Sequence, residues 1–365
     1  MKNKFLFLLV IIFLISAVGC DYKDIDRRTF IVAIGLDINK NHDFVITMKA
    51  AVPKNPKIGG SSENNQTYTV EASSIGLGLR KIKQQLSLEP DYSHMKVLIL
   101  GENFLNGSNK TSLNHLMNFF ITRRDFQNLI WIVLGKPSAA ELLKIEPPTE
   151  NYAGADLFLR FGQGVESQYS HNIKLSKFYT QLNTPGVTPL CPVFSVKNGV
   201  VNNNELAIFD RNSKLALTID NEDLKIFNLL TKKVRSGYVF SISEDEKVVG
   251  FNVIGHKVKY SFSGSKDHLV CTIKPTFKLS LEEGVEYNYN NKKAANIIEK
   301  QLNEKIKNLF KKFKDNKVDP INLELNYWQY KPKFELTEKW LTKIYPNIEY
   351  RVVTKVNVTG KGAGR

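Results

Sequence analysis

The sequence predicts an α+β protein of several units, with mixed sheets, packed helices and a strand-rich C-terminal half carrying one long helix. Three observations point there. Between Thr29 and Ile145, apolar strand-like runs alternate with stretches of helical spacing, the order that builds a partly parallel sheet. From Glu205 onward the runs are mostly β-rich. Between Lys292 and Lys314, Ile298, Leu302, Ile306, Leu309 and Phe313 recur at one-face helical spacing with lysines opposite.

Taken in order, the chain opens with Lys2 and Lys4, an apolar run from Phe5 to Ile15, and the small residues Ala17 and Gly19 before Cys20. A basic start, a short apolar stretch and a small-residue cleavage region mark a secretory signal. The run falls short of the ~20 apolar residues a membrane-spanning helix needs. Small residues leading directly into a cysteine resemble the lipobox of bacterial lipoproteins. In that resemblance residues 1–19 are the signal peptide, and Cys20 carries a diacylglyceryl thioether as the first mature residue. Residues 20–28 then form a lipidated tether. Two acyl chains, at ~0.8 kcal/mol per buried CH₂, suffice for stable anchoring. The competing interpretation is a short membrane anchor in which Cys20 is incidental.

Residues 29–145 are expected to form an N-terminal α/β domain. TFIVAIGLDI (Thr29–Ile38) and DFVITMKAAV (Asp43–Val52), joined by NKNH, have the pattern of a hairpin. A loop rich in Pro, Gly, Ser and Asn follows over 53–66, and TYTVEA (Thr67–Ala72) resumes a strand. Ile75, Leu79, Ile82 and Leu86 mark one helical face and Leu116, Met117 and Phe120 another. MKVLILG (Met95–Gly101) and NLIWIVLG (Asn128–Gly135) are strand-like, and PSAAELLKI (Pro137–Ile145) begins a helix with proline near its first turn.

Residues 146–204 hold five prolines in EPPTENYAGAD and LNTPGVTPLCPVF. They are expected to be a linker or small bridging region, with one short helix over His171–Gln181. Residues 205–365 are expected to form a C-terminal α+β domain. Its strand-like runs are ELAIFD, KLALTI, GYVFSI, KVVGFNVI, KVKYSFSG and HLVCTIKPTFKLSL, with a tight turn at DRNS (Asp210–Ser213) and a helix at Glu222–Lys233. The long helix could lie on a membrane, but the strands flanking it on both sides favour packing on a sheet. INLELNY (Ile321–Tyr327), a short helix carrying Trp340 and Leu341, and the strand IEYRVVTKVNVTG (Ile348–Gly360) complete the chain before a loose tail.

Composition narrows the function classes. Hydrophobic residues at 42% and aromatics at 11% suit a folded core. Without Lys2 and Lys4, 49 basic residues face 36 acidic ones, a balance of +13. Export makes nucleic acid an improbable partner, whereas a lipid-anchored basic domain would sit favourably over anionic headgroups. After Cys20 only Cys191 and Cys271 remain, and two separate buried thiols fit better than a disulfide framework. The six histidines are scattered, and His268 and Cys271 would point to opposite faces of a strand, so no metal site is indicated. There is no GxSxG elbow or P-loop, and FGQGVES lacks the strand–turn–helix context of a phosphate cradle. TRRD (Thr122–Asp125) fits a solvated loop with a local ion pair, or a partner-binding patch. No cofactor, catalytic or metal-ligating residue is expected, and the chain does not have the pattern of an enzyme.

The chain resembles the Ger(x)C lipoprotein family, the C subunits of bacterial spore germinant receptors. The likeness rests on the lipobox at Cys20, on YKDIDRRTFIVAIGLDI with its strand ending Gly-x-Asp, and on ITRRDFQNLIWIVLGKPSAAELL. ELAIFDRNSKLALTID, the Lys-rich helix, Trp340 and the closing valine-rich strand extend it. Asp21 stands where the family usually has tryptophan, and KKFKDNKVD replaces its Lys-Tyr-Lys-x-Asp segment. The resemblance implies a non-enzymatic, lipid-anchored subunit on the outer face of the spore inner membrane. It would act with integral-membrane A and B subunits in nutrient-triggered germination, with Cys20 the one site residue. An alternative is the solute-binding lipoprotein of an importer, which needs two α/β lobes around a ligand cleft; a cell-wall enzyme fits less well.

Overall fold

The computed structural model describes residues 27–51, 65–106, 112–127, 129–145, 153–160, 167–232, 234, 237–242, 248–265, 268–283, 290–331 and 339–361. The chain is an α+β assembly of two mixed sheets. Strands β1 (Arg28–Ile38), β2 (Phe44–Ala51) and β3 (Asn65–Ala72) run antiparallel, with Ile34 opposite Met48 and Ile46 opposite Val70. Helix α1 (Ile75–Gln85) leads to β4 (Glu89–Asp91) and β5 (Val97–Gly101), both parallel to β1. Helix α2 (Leu113–Thr122), β6 (Trp131–Lys136) and α3 (Ala139–Lys144) follow. The serines Ser74, Ser112 and Ser138 start these three helices by accepting the backbone N–H three residues on, which satisfies a donor the helix cannot. Pro137, expected near the first turn of α3, stands before the cap Ser138.

The segment expected to be a linker or bridging region, 146–204, supplies regular elements. It carries α4 (Ala153–Arg160), α5 (Leu175–Asn183), β7 (Leu190–Lys197) and the start of β8 (Val200–Phe209). Strand β7 pairs parallel to β6, despite Pro192 within it. The ladder to β6 involves Val193–Ser195, so the proline precedes it. Strands β8 and β9 (Leu215–Ile219), assigned from sequence to the C-terminal unit, complete the first sheet in the order β3-β2-β1-β5-β6-β7-β8-β9, with β4 beside β1. Hydrophobic alternation marks such strands but carries no information on which sheet receives them.

Both faces of this sheet are covered, as its parallel centre requires. One face packs Ile34, Leu36, Ile46, Leu98 and Ile132 beneath α1, α2 and α5. The other packs Ala33, Ile99 and Val133 beneath α3 and α4. Further along that second face, Leu206, Ile208 and Ile219 meet α6 (Asn221–Thr231), and one core continues from there into the second sheet.

The second sheet is built from β10 (Tyr238–Ile242), β11 (Val248–Gly264) and β12 (Leu269–Glu283), all antiparallel. KVVGFNVI and KVKYSFSG are one strand, bulged between Val253 and Gly255. The long helix α7 (Asn291–Asp315) packs on the inner face through Ile298, Leu302, Ile306, Leu309, Phe310 and Phe313. Strands β13 (Glu349–Val352) and β14 (Lys355–Lys361) return parallel to β12. Between α7 and β13 in sequence, α8 (Leu323–Tyr330) and Trp340 cover the end of the core.

Two buried polar clusters hold these layers. On β1, the Asp37 carboxylate accepts the N–H groups of Ala139 and Ala140, each at 2.9 Å. On β2, the buried Lys49 ammonium donates to the Leu143 carbonyl at 2.6 Å. A six-residue helix thus has an anion at its positive end and a cation at its negative end, the arrangement its dipole favours. Side chains are barred nearby. A Cβ on Gly101 would lie 1.7 Å from an Asp37 oxygen, and one on Gly35 would lie 2.9 Å from Leu143. The second cluster joins the segment before α5 to α6. Asn228 donates to the carbonyls of Gln168 and Ser170, both at 3.1 Å, which leaves its oxygen to accept from His171 Nδ1 at 3.0 Å. Burial, reinforced by Lys232, pushes the His171 imidazole down to about 3.

Asp37→Ala should lower the unfolding free energy by about 1–3 kcal/mol, read from urea titration, because two helix-start donors lose their partner in the interior. His171 gives a pH dependence with a defined sign. Its folded value lies below the ordinary 6.5, so its contribution is intact above that pH and is lost as pH falls toward 3. At pH 5 the loss is about 2 kcal/mol, and His171→Gln should flatten that part of the stability profile.

Candidate functional site

Cys20, the residue assigned a chemical role from sequence, lies outside the described residues, as does FGQG of FGQGVES. The other candidates are dispersed. Cys191 on β7 and Cys271 on β12 are free and buried. Burial pushes the Cys271 thiol up to about 12 and the Cys191 thiol higher still. His115 meets the Ser112 hydroxyl at 3.0 Å, His94 packs edge-on to Phe30, and His256 stacks on Phe277, its cross-strand partner. Among the described residues no three His, Cys, Asp or Glu side chains group to hold a metal ion. No described helix is long and apolar enough to cross a membrane.

Displaced titration in a cleft is the mark of a catalytic group, and the buried charges here have other partners. Asp319 accepts from Leu323 N and Glu324 N at 2.9 Å and from Trp340 Nε1 at 3.1 Å. Burial lifts its carboxyl to about 6 against the pull of those donors. Its three donors are the start of α8 and a core tryptophan, so it fastens the C-terminal segment onto the second sheet. Glu324 beside it pairs with Arg211 from the β8–β9 turn, joining the two sheets. Asp37 is held the same way: burial raises its carboxyl while two backbone donors oppose the shift.

The concave feature nearest the N-terminal entry is a cleft of about 410 Å³ where β1 begins. Five cations line it, Arg28, Arg80, Lys83, Arg123 and Arg124, against the carboxylates of Glu89, Asp91 and Asp125. Arg28 pairs with Asp91, Lys83 with Glu89 at 2.7 Å, and Arg123 with Asp125. Arg123 also lies over the rings of Phe119 and Phe126 at 5.3 and 5.8 Å, a cation–π contact. Desolvation raises the Asp91 carboxyl, but hydrogen bonds from Ser93 and Arg28 outweigh it and hold the group below its ordinary range. TRRD is therefore a loop with a local ion pair, and it forms one wall of this cleft.

This arrangement fastens the chain where it enters the fold. Arg28, Thr29 and Phe30 pair with Glu89, Pro90 and Asp91, so backbone ladder, ion pair and the Phe30–His94 contact hold the first residues of β1 together. Whatever precedes Arg28 pulls on a strand already built into the sheet. The cleft's carboxylates are engaged by Arg28, Lys83 and Arg123.

A family model described as "Spore germination protein N-terminal domain" matches residues 21–196, and one described as "Spore germination B3/ GerAC like, C-terminal" matches residues 204–362. Spore germination protein GerQC of Bacillus cereus is 22% identical over 370 residues, covering 99% of both chains. Spore germination protein KC of Bacillus subtilis (strain 168) is 23% identical over 97% of this chain and 96% of its own. The crystal structure of the GerBC protein has the same fold, with a TM-score of 0.60 at 15% identity over 89% of this chain and 96% of that one. With both family models matched in order along most of its length, the chain belongs to the Ger(x)C family of spore germinant receptor C subunits.

Proposed function

We propose that this protein is the lipid-anchored, non-enzymatic C subunit of a spore germinant receptor. It acts with integral-membrane A and B subunits in nutrient-triggered germination, on the outer face of the spore inner membrane. The observation that carries the reading is the junction at Cys20. The matched family region begins at residue 21, directly after a cysteine that ends a basic, apolar and small-residue leader. A thioether-linked diacylglyceryl group there supplies two buried acyl chains, enough for lasting membrane attachment. Residues 21–27, at most ~3.5 Å each when extended, then span up to about 25 Å to Arg28, where the fold takes the load.

The buried titratable groups at Asp37, His171 and Asp319 support a contact role, since each is engaged by helix-start donors or a side-chain amide. The working parts on this reading are the anchor, the entry strand and the surfaces offered to the two membrane subunits.

In cells given a tagged fatty acid, the wild-type protein should be labelled and Cys20→Ala should not; equal labelling would refute acylation at this residue. The same variant should leave the membrane fraction and lose germination activity together. Deleting the gene should abolish the response to at least one nutrient, with growth and sporulation normal. An unchanged response to every nutrient in a strain lacking paralogues would count against the receptor role.

A further inference from the structure

The inner face of the second sheet is buried under α7, but its outer face is open and carries one dominant charge. Along β11, Lys257 and Lys259 are exposed; along β12, Lys274 and Lys278; along the return strands, Arg351 and Lys355. Register places them side by side. Lys259 lies directly opposite Lys274, Thr276 lies between Lys257 and Lys355, and Thr272 lies opposite Arg351. The strands are ~4.8 Å apart and alternate residues ~6.6 Å apart, so the six cations form a two-dimensional array on one sheet face. Glu349, 3.9 Å from Arg351, and Glu282 and Glu283 at the far end are the acids on this face among the described residues; Glu283, opposite Gly250, accepts from the Tyr238 hydroxyl at 2.8 Å.

A solvated sheet face ordinarily sets opposite charges across from one another, because like charges directly opposed are destabilising. Here none of the five lysines has an ion pair among the described residues, and Lys259 and Lys274 face each other. The exposed large apolar side chains next to the array are Ile254 and Val353. Val270, between Ser263 and Glu349, is half-buried, and Ser261, Thr272, Thr276, Ser280 and Asn357 are small and polar.

We propose that this face docks on the anionic headgroup surface of the membrane, orienting the protein with its second sheet parallel to the bilayer. The proposal rests on the reading of the chain as membrane-anchored. Specific protein interfaces are depleted in lysine and centred on aromatic or arginine anchors in apolar pockets, whereas the arginine of this face, Arg351, is exposed beside Glu349. Lysines spread over a polar sheet face instead suit a plane of mobile phosphate groups, where each contributes a similar increment and none needs a fixed partner.

The test uses the mature chain, Cys20–Arg365, made without its acyl group, so that acylation and docking are measured apart. It should co-sediment with vesicles of equimolar phosphatidylglycerol and phosphatidylcholine, release as salt rises, and ignore vesicles of phosphatidylcholine alone. Changing Lys257, Lys259, Lys274 and Lys278 together to Gln should cost roughly several hundredfold in vesicle affinity, from about fivefold per lysine near the surface. Its urea midpoint should be equal or higher, since an opposed like-charge pair is removed. The matched set Lys292, Lys300, Lys307 and Lys311 to Gln, on the exposed side of α7, removes the same charge and should leave affinity nearly unchanged. Equal losses in both variants would mean that net charge alone attracts the protein, and no loss in the sheet variant would mean that another surface binds. Either result overturns the proposal. It is also overturned if the sheet variant keeps vesicle binding but loses co-purification with a membrane subunit, which would make this face a protein interface. Failure of fatty-acid labelling with retained vesicle binding would remove the anchor and leave the docking face standing.

Discussion

The first sheet depends on a pair of opposite charges buried at the two ends of a six-residue helix. Asp37 and Lys49 come from neighbouring strands and reach the start and end of α3. Neither would tolerate the interior alone, because an ion removed from water costs several kcal/mol unless it is paired and hydrogen-bonded. The helix supplies the compensation, and the charges in turn set its position to within a side chain. Gly35 and Gly101 keep the sheet flat enough beneath it. The parallel strands β1, β5 and β6 require cover on that face, and α3 with α4 provides it.

The same cluster explains two stretches of sequence a hundred residues apart. The Gly-x-Asp that ends IGLDI and the helix start PSAAELL carry no visible relation in the chain; in the fold they are ligand and receptor of one interaction. Much else was legible. Periodicity marks α1, α2 and the packed long helix with its buried face on Ile298, Leu302, Ile306 and Leu309, while PSAAELL marks the start of α3 and paired β-branched runs the first hairpin. Prolines misdirected the reading of 146–204, because their effect on a ladder depends on which residues the neighbour engages. Pro192 lies just ahead of the three residues that pair with β6. Sheet membership of β8 and β9 was hidden for a different reason: a hairpin satisfies its own pattern wherever it docks.

The surface features divide along the same line. TRRD showed its local ion pair in sequence, but the cleft it helps form needs Arg28 and Asp91, which pair across 63 positions. The lysines of KVKYSFSG and IKPTFKL alternate visibly once the runs are taken as strands. What sequence could not supply was the register that sets Lys259 against Lys274. The stretch ending at Cys20 is the opposite case, a lipobox resemblance carried entirely by local order. Ion pairs on the exposed sides of α6 and α7, such as Lys225–Glu222 and Lys312–Asp223, are of the solvent-screened kind that contributes little.

The second sheet also constrains the order of events in making the protein. Its strand β12 is complete at Glu283, yet the neighbours on one side of it, β13 and β14, lie at 349–361. A ribosome must therefore add almost eighty further residues before β12 acquires its second edge. Until then a long, apolar-faced strand stands half paired, and the loop to be closed is large, which slows such pairing. Pairing on this flank of β12 waits until residues 349–361 have been made. Strand β14 is the edge that covers it, and a chain ending before Lys355 would leave the flank open.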